Sequence, residues 1–289
     1  MRQDAFSFKN TGNSMAVGTS GYGEFSTSLL CYNQLNGDER GVRSYECDDT
    51  WIKTQAFLPP FCRLTAESLP DEYYLSVDTS RIHIDHYRVV KPKATLILFH
   101  GVGGNGRLLS FIAVPLMKNG FEVICPDLPL YGLTECTGTI AYDAWVEVGK
   151  HIVSHCQSQG TNNIFLFGLS AGGMLAYQVA CESAHIKGIM ATCILDQRES
   201  QVVQEIAVNR ISGSIAKPIL RFACRYFGKV KIPMKLVANM KAIANNEELA
   251  RLLMQDRKSS GAKVSISFLS SMLNPQMAVE PENFTSCPF

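Results

Sequence analysis

A regular alternation between short apolar runs and amphipathic segments over residues 94–195 limits the folds open to this chain more than any other feature. Four apolar runs have the character of strands covered on both faces of a sheet, namely Ala94–Phe99, Phe121–Cys125, Asn163–Phe167 and Ile186–Leu195. Three segments between them have helical spacing, namely Leu108–Asn119, Tyr142–Ser158 and Ala171–Ser183. Because strands that alternate with helices form parallel sheets covered on both faces, we predict a doubly wound, mostly parallel α/β fold.

The sequence on either side of this region differs in character. Upstream, strands are predicted at Tyr73–Val77 and Ile82–Val90, and the apolar–polar alternation of the second places it toward a sheet edge. Downstream, residues 198–273 predict a helical cap, with helices at Val202–Arg210, Pro218–Tyr226, Met234–Asn245 and Glu247–Asp256. The predicted organisation is an N-terminal extension over 1–70, loop-like around 12–23, a six-stranded core over 71–197, a cap over 198–280 and the start of a seventh strand over 281–289.

Composition excludes several classes of protein. The net charge is +1, no long run of like charge is visible, and Lys and Arg form no evident patch with aromatics, so we expect no nucleic-acid partner. The ten cysteines form no C-x-x-C pair and are expected to be free thiols in a reducing cytosol. With no signal sequence and no apolar stretch as long as a membrane span, we expect a cytoplasmic protein and leave a peripheral membrane contact open.

Histidine spacing offers one candidate metal pair. His151 and His155 stand at i, i+4 on a predicted helix, but no third ligand is suggested nearby. His83 and His86 fall on opposite faces of a predicted strand. We therefore predict neither a metal nor a cofactor.

Residues 168–172 read G-L-S-A-G and match the pattern G-x-S-x-G. An apolar strand precedes the motif and a helix follows it, which is the context that a nucleophile elbow needs. Small residues at Gly168 and Gly172 would let strand and helix approach, and the tight turn would hold the Ser170 hydroxyl above the sheet at a helix N-terminus. We predict Ser170 as a nucleophile, the alternative being a glycine-rich turn without chemistry.

Residues 100–104 read H-G-V-G-G and directly follow a predicted strand. Together with the elbow, this loop makes the chain resemble the α/β-hydrolase superfamily over residues 71–289, and within it lysophospholipases, monoacylglycerol lipases and serine aminopeptidases. The resemblance implies an oxyanion hole formed by the backbone N–H groups of Val102 and Ala171. It implies structural roles for His100, Gly101, Gly168 and Gly172. Asp127, in a P-D-x-P-x-x-G segment, would brace a loop. The alternative for the 101–106 loop is a phosphate-cradling turn, but no complete nucleotide-binding motif is present.

The same resemblance implies an acid and a histidine that should follow the nucleophile. The last histidine is His185, fifteen residues after Ser170 and at the wrong end of the sheet. Asp196 is a substitute acid after the sixth strand, or else a loop acid partnered by Arg198. We therefore expect a C-terminally truncated sequence that is inactive or impaired as an enzyme.

Two functions remain open. The first is a serine hydrolase that cleaves a small-molecule carboxylic ester, of a lipid or of a small acyl group, through an acyl-enzyme at Ser170. The second is a non-catalytic binding protein that lacks the triad histidine. Apolar residues of the cap would line an acyl groove or form an ordinary core: Met234, Met240, Met254, Met272, Phe222, Phe227 and Phe268. Its basic residues would attract anionic head groups or be solvated: Arg221, Arg225, Lys229, Lys231 and Lys235.

Overall fold

Helices pack around a central sheet in this protein. The computed structural model describes residues 43–207 and 210–289, except for the side chains of 210–216. The strands of the sheet are β1 (Asp71–Val77), β2 (Ser80–Tyr87), β3 (Thr95–Phe99), β4 (Glu122–Pro126), β5 (Glu135–Cys136), β6 (Ile164–Gly168) and β7 (Ile186–Ala191). The spatial order is β1-β2-β4-β3-β6-β7, and β5 pairs with β2. Strands β4, β3, β6 and β7 run parallel, whereas β1 and β2 are antiparallel to their neighbours. The predicted mostly parallel sheet is therefore present.

The strand predicted toward a sheet edge is next to the edge strand but is not the edge strand itself. Strand β2 lies between β1 and β4, and β1 is the outer strand. The polar side chains that suggested an edge, His83 and Asp85, are fully buried and bound to other charged groups. A polar residue in a strand marks solvent only when no partner covers it.

Helices cover both faces of the sheet. The helices of the core are α1 (Asp49–Gln55), α2 (Ser110–Lys118), α3 (Asp143–Ser158) and α4 (Ala171–Glu182). Helices α3 and α4 pack on one face, around Trp145 and Leu175, while α2 packs on the other face, around Ala113 and Val114. Residues 171–180 of α4 are all buried, which fixes the helix that starts at the predicted elbow.

The cap combines helices with a small sheet. Its elements are α5 (Ser200–Ile206), α6 (Arg210–Phe227), β8 (Lys231–Pro233), α7 (Glu247–Gln255), β9 (Lys263–Ser265) and α8 (Ile266–Met272), and β8 pairs antiparallel with β9. The predicted helix Met234–Asn245 is absent, and two short 3-10 turns, Met234–Leu236 and Met240–Ile243, take its place. In one helix Met234 and Met240 would point about 120° apart. The break lets both side chains be buried.

Both ends of the described chain pack on the core. The predicted loop at 12–23 lies outside the described residues, but Tyr45 and Trp51 are buried, so residues 43–70 are not simply loop-like. At the other end no strand forms over 281–289. Pro281–Asn283 make a 3-10 turn. The Pro288 carbonyl accepts a hydrogen bond of 3.0 Å from the amide of Ile189, which lies in β7. Pro288 lacks the N–H that a longer ladder would need at that position.

No disulfide joins the cysteines that the structure describes, and Cys31 lies outside that part of the chain. Over the same described ranges, no helix combines the length and apolar character needed to cross a membrane.

Candidate active site

Ser170 occupies a sharp turn between β6 and α4. Its backbone has φ 56° and ψ −122°, a combination that costs a non-glycine residue free energy and is often retained at functional sites. The turn is held by neighbouring groups, since the Ser170 amide donates to the Thr192 hydroxyl at 3.0 Å. The predicted strand to Leu195 ends at Ala191, which frees Thr192 for this contact. The Ser170 side chain remains exposed, at the N-terminus of α4.

The glycines around Ser170 lie where side chains would not fit. A Cβ at Gly168 would overlap the Gly172 carbonyl, and a Cβ at Gly172 would overlap the carbonyl of Phe99 at the end of β3. Both clashes are with backbone atoms, which cannot move aside without separating helix and sheet. The two positions therefore permit the tight strand-to-helix turn that the motif predicts.

The loop over residues 100–104 lies directly against the elbow. A Cβ at Gly101 would be 2.9 Å from the Leu169 carbonyl oxygen and 3.1 Å from the Ser170 Cβ. The predicted oxyanion donors, Val102 and Ala171, line the same cavity as Ser170. In the described part of the chain, no acceptor is bonded to the backbone N–H of either residue. Two such N–H groups beside an exposed hydroxyl can stabilise negative charge that develops on a carbonyl oxygen.

His100 braces this loop. Its Nδ1 lies 2.7 Å from the Gly101 carbonyl oxygen and its Nε2 accepts from the Leu128 amide at 3.0 Å, so the partners assign the proton to Nδ1. Burial lowers the pKa of His100 to about 4, because the charged ring would lose its hydration. A neutral imidazole with both nitrogens engaged supports the loop and has no free lone pair for the Ser170 proton.

No other imidazole reaches the cavity. All six histidines of the chain lie among the described residues, and only His100 lines the cavity at Ser170. Asp196, the candidate acid, does not line it. Its carboxylate accepts hydrogen bonds of 2.8–3.1 Å from Arg198, which hold its pKa below the usual range. The structure thus brings together the predicted nucleophile and the predicted oxyanion donors, but not Asp196.

The cavity above Ser170 has a volume of about 600 Å³. Core residues, including Ser170 and Leu169, line it together with Met234, Met240 and Met272 of the predicted cap. The lining is largely apolar, and Glu205 contributes the one charged side chain among the described lining residues. This volume is typical of small-molecule sites. The space suits an apolar acyl group placed over the hydroxyl.

Asp127 ties the loop of the site to the strands beneath it. Its carboxylate accepts hydrogen bonds from the Gly106 amide at 2.7 Å, the Leu133 amide at 2.7 Å and the Tyr45 hydroxyl at 2.8 Å. His83 Nδ1 lies 3.1 Å from the same carboxylate. Burial alone would raise the pKa of Asp127, but the partnership with His83 holds it below the usual range. Asp127 is therefore a bracing residue beside the site.

His83 connects Asp127 to a larger buried network around Arg107 that the sequence did not reveal. The Arg107 guanidinium donates to Asp85 at 2.6 and 2.9 Å and lies 2.7 Å from Glu72, which in turn lies 2.9 Å from His83 Nε2. The nearest signal was the pair of polar residues in β2, whose alternation with apolar residues suggested only that the strand lies toward a sheet edge. The network fixes the loop 100–107 to β1 and β2.

The same network contains the one group of described residues close enough to hold a metal. Donor atoms of Glu72, His83 and Asp85 lie within 4.8 Å of one another. However, Arg107 binds both carboxylates and His83 binds Glu72, so the donor set is already occupied by protein cations. We assign the cluster to ion pairing. His151 and His155 belong to no such group.

The buried network predicts a pH dependence of stability. Burial alone would lower the pKa of His83, but Asp127 and Glu72 raise it to about 10, above its ordinary value of 6.5. A group with a raised pKa in the folded state stabilises the fold when it is protonated. The contribution of His83 is therefore complete below about pH 6.5 and is lost as the pH rises toward 10. We expect the free energy of unfolding, measured in urea, to fall between pH 7 and pH 10. The fall should be smaller in His83→Gln; equal falls in both proteins would contradict the assignment.

Comparisons with known proteins identify the family and the fold. Residues 90–283 match the model of the family described as "Serine aminopeptidase, S33". The structure is similar to a soluble variant of monoglyceride lipase from Saccharomyces cerevisiae, with a TM-score of 0.59, 17% identity and coverage of 75% of this chain and 71% of that one. It is also similar to the monoacylglycerol lipase of Paleococcus ferrophilus, with a TM-score of 0.52, 18% identity and coverage of 67% and 69%.

A curated relative matches a shorter stretch. The pimeloyl-(acyl-carrier protein) methyl ester esterase of Legionella pneumophila (strain Corby) is 28% identical over 164 residues, which are 54% of this chain and 63% of that protein. The chain therefore spans less than two thirds of the length of this relative. The two solved structures show the fold alone, at this level of identity.

Proposed function

This chain belongs to the serine aminopeptidase family of the α/β-hydrolase superfamily, and on that basis we propose that it acts on a carboxylic ester through an acyl-enzyme at Ser170. The observation that carries the proposal is the exposed Ser170 hydroxyl at the floor of a largely apolar cavity, beside the N–H groups of Val102 and Ala171. The names of the relatives, a methyl ester esterase and a monoglyceride lipase, support an ester as the substrate class.

Each group would have one role in the reaction. Ser170 Oγ attacks the ester carbonyl and gives its proton to solvent water, and the carbonyl oxygen takes up negative charge that the N–H groups of Val102 and Ala171 stabilise. The C–O bond then breaks, and the alcohol leaves with a proton taken from water. A second water molecule then hydrolyses the acyl-enzyme and releases the carboxylic acid. The apolar cavity holds the acyl chain, so esters of acids longer than acetic acid should bind more tightly than acetate esters.

This chain has no evident group to carry out the proton transfers of the reaction. A serine hydroxyl is a poor nucleophile without a base, and no histidine of the chain is free to act on Ser170. We propose that the 289-residue chain is impaired in turnover, and that Asp196 is a loop acid held by Arg198 rather than part of a triad. The missing base also favours a second candidate, a non-catalytic protein that binds acyl esters in the same cavity.

A covalent test separates the two candidates. An activated ester such as para-nitrophenyl butyrate has a good leaving group, so it can acylate Ser170 slowly without a general acid. Water attack on the acyl-enzyme still needs a base, so the adduct should accumulate. We expect intact-mass and peptide analysis to find one butyryl group on the peptide that contains Ser170, and none in Ser170→Ala. Ester that binds without forming an adduct would favour the binding protein, and an adduct elsewhere would refute the proposal.

A further inference from the structure

The cap carries a long stretch in which every charged residue is basic. Residues 207–246 contain eight Lys or Arg and no Asp or Glu, whereas the whole chain has 27 basic and 26 acidic residues. The expectation that Lys and Arg form no patch with aromatics was therefore wrong. The net charge of +1 over the whole chain concealed the segment, because acidic residues elsewhere balance it.

Large apolar side chains are exposed on the same segment. The described residues include thirteen exposed large hydrophobics, and six of them fall between residues 219 and 236. These are Ile219, Phe222, Tyr226, Phe227, Val230 and Leu236, with exposed fractions of 48–70%. Scattered exposed apolar residues are ordinary, but a concentration of this kind marks an interaction surface.

Helix α6 places the apolar and basic groups side by side. Ile219, Phe222 and Tyr226 follow the i, i+3, i+7 spacing of one helix side, and the rings of Phe222 and Tyr226 are 5.4 Å apart. Arg221 and Arg225 are also exposed, beside this stripe. Leu220, on another side of α6, is buried against the rest of the cap. We call the exposed side and its continuation the basic aromatic face, comprising Ile219, Arg221, Phe222, Arg225, Tyr226, Phe227, Lys229, Val230, Lys231, Lys235 and Leu236.

Most cations of the basic aromatic face have no partner within the protein. Arg225, Lys229, Lys231 and Lys235 make no side-chain hydrogen bond or ion pair with any residue that the structure describes. Lys229 and Lys231 also border a second cavity of about 370 Å³, together with Lys263, and no carboxylate is among its described lining residues. The positive charge is therefore available to an external anion.

We propose that the basic aromatic face binds an anionic phospholipid surface. Exposed aromatics beside Lys and Arg on an amphipathic helix suit the boundary between acyl chains and anionic head groups. A second copy of the chain would present the same positive charge and be repelled. Nucleic-acid bases would stack on the aromatic side chains, but nucleic acid offers no apolar partner for the exposed aliphatic side chains of Ile219, Val230 and Leu236.

The basic aromatic face is continuous with the wall of the site. Lys235 and Leu236 are exposed, and Met234 in the same turn lines the cavity above Ser170. Docking would therefore bring the cap side of the cavity to the lipid surface. This inference does not depend on catalysis, because Ser170→Ala should bind the surface as well as the unchanged chain does.

Vesicle sedimentation tests the apolar part of the proposal. We expect the 289-residue chain to bind vesicles of phosphatidylcholine and phosphatidylglycerol in equal parts at least about tenfold more tightly than phosphatidylcholine alone, and less tightly in high salt. Phe222→Ser combined with Tyr226→Ser should weaken this binding by about tenfold. Phe61→Ser is the matched control, since Phe61 is 65% exposed and Phe222 is 70% exposed; it should have no effect.

Charge variants test the electrostatic part. Arg225→Gln, Lys229→Gln and Lys235→Gln together should weaken binding by about a hundredfold. The control combines Lys53→Gln, Lys91→Gln and Lys187→Gln, which remove three exposed cations elsewhere. Equal binding to both kinds of vesicle, or equal losses in the two charge variants, would overturn the proposal. So would an oligonucleotide or an acidic peptide that binds as tightly as the anionic vesicles. Failure of vesicle binding with an intact Ser170 adduct would overturn the docking surface alone.

Discussion

Replacement of Arg107 by methionine is expected to lower the free energy of unfolding by about 3 to 5 kcal/mol. Arg107 is 1% exposed and binds Asp85, which is fully buried, and Glu72, which is nearly so. Methionine keeps much of the apolar volume, but it leaves buried Asp85 without its bound cation and leaves Glu72 with His83 as its remaining cation. Uncompensated buried charge costs far more than the pair contributes when intact. Urea denaturation monitored by tryptophan fluorescence measures the change.

An exposed ion pair provides the control. Arg88 Nε lies 2.6 Å from Asp71, as close as Arg107 Nε lies to Asp85, but both partners are about 60% exposed. Water screens such a pair, so Arg88→Met should cost less than about 1 kcal/mol. Similar losses in the two variants would show that distance rather than burial sets the cost, and would contradict the role given to the network.

The elbow could be predicted from sequence because its determinants are local. A strand, a five-residue motif and a helix are consecutive in the chain, and the positive φ at Ser170 follows from the glycines around it. The loop over residues 100–104 directly follows β3 and lies against the elbow, and the oxyanion role that the resemblance implies for it stays a prediction. The short sequence separation within each element means that no tertiary contact had to be guessed.

The buried network could not be predicted, because its members come from distant positions. The register of β1 on β2 sets Glu72 opposite Asp85, and the loop after β3 brings Arg107 to both. Sequence alternation correctly separated the two faces of β2 but could not show that its polar face was covered. The alternation therefore suggested only a place toward the sheet edge, whereas His83 and Asp85 belong to an ion-paired interior.

The cap was mispredicted for a related reason. Strands β8 and β9 are three residues each and thirty residues apart, so their pairing leaves little pattern in the sequence. Residues 234–245 are apolar enough for a helix, and only the burial of both Met234 and Met240 reveals the break. Short apolar runs do not distinguish helix from other structure without their tertiary contacts.

Exogenous imidazole is expected to raise the hydrolysis of para-nitrophenyl butyrate by this chain about a hundredfold, and Ser170→Ala should abolish the increase. Under the proposed function, the site has the hydroxyl and the two N–H donors, but no histidine of the chain is free to act as the base. A positioned base contributes about 10² to 10⁴ in rate, and imidazole that binds in the cavity without a covalent tether should reach the lower end of that range.

The cavity of about 600 Å³ has room for imidazole beside a short acyl chain. Imidazole also attacks nitrophenyl esters in solution, so the rate with Ser170→Ala must be subtracted at each imidazole concentration. The difference between the two proteins should saturate with imidazole, because the base acts from a bound position. Equal rates in the two proteins would mean that Ser170 is not activated by a base in this cavity, and the non-catalytic function would then be preferred. A saturating difference would locate the impairment of the chain in one missing proton acceptor, because the elbow, the donors and the cavity would all have been competent without it.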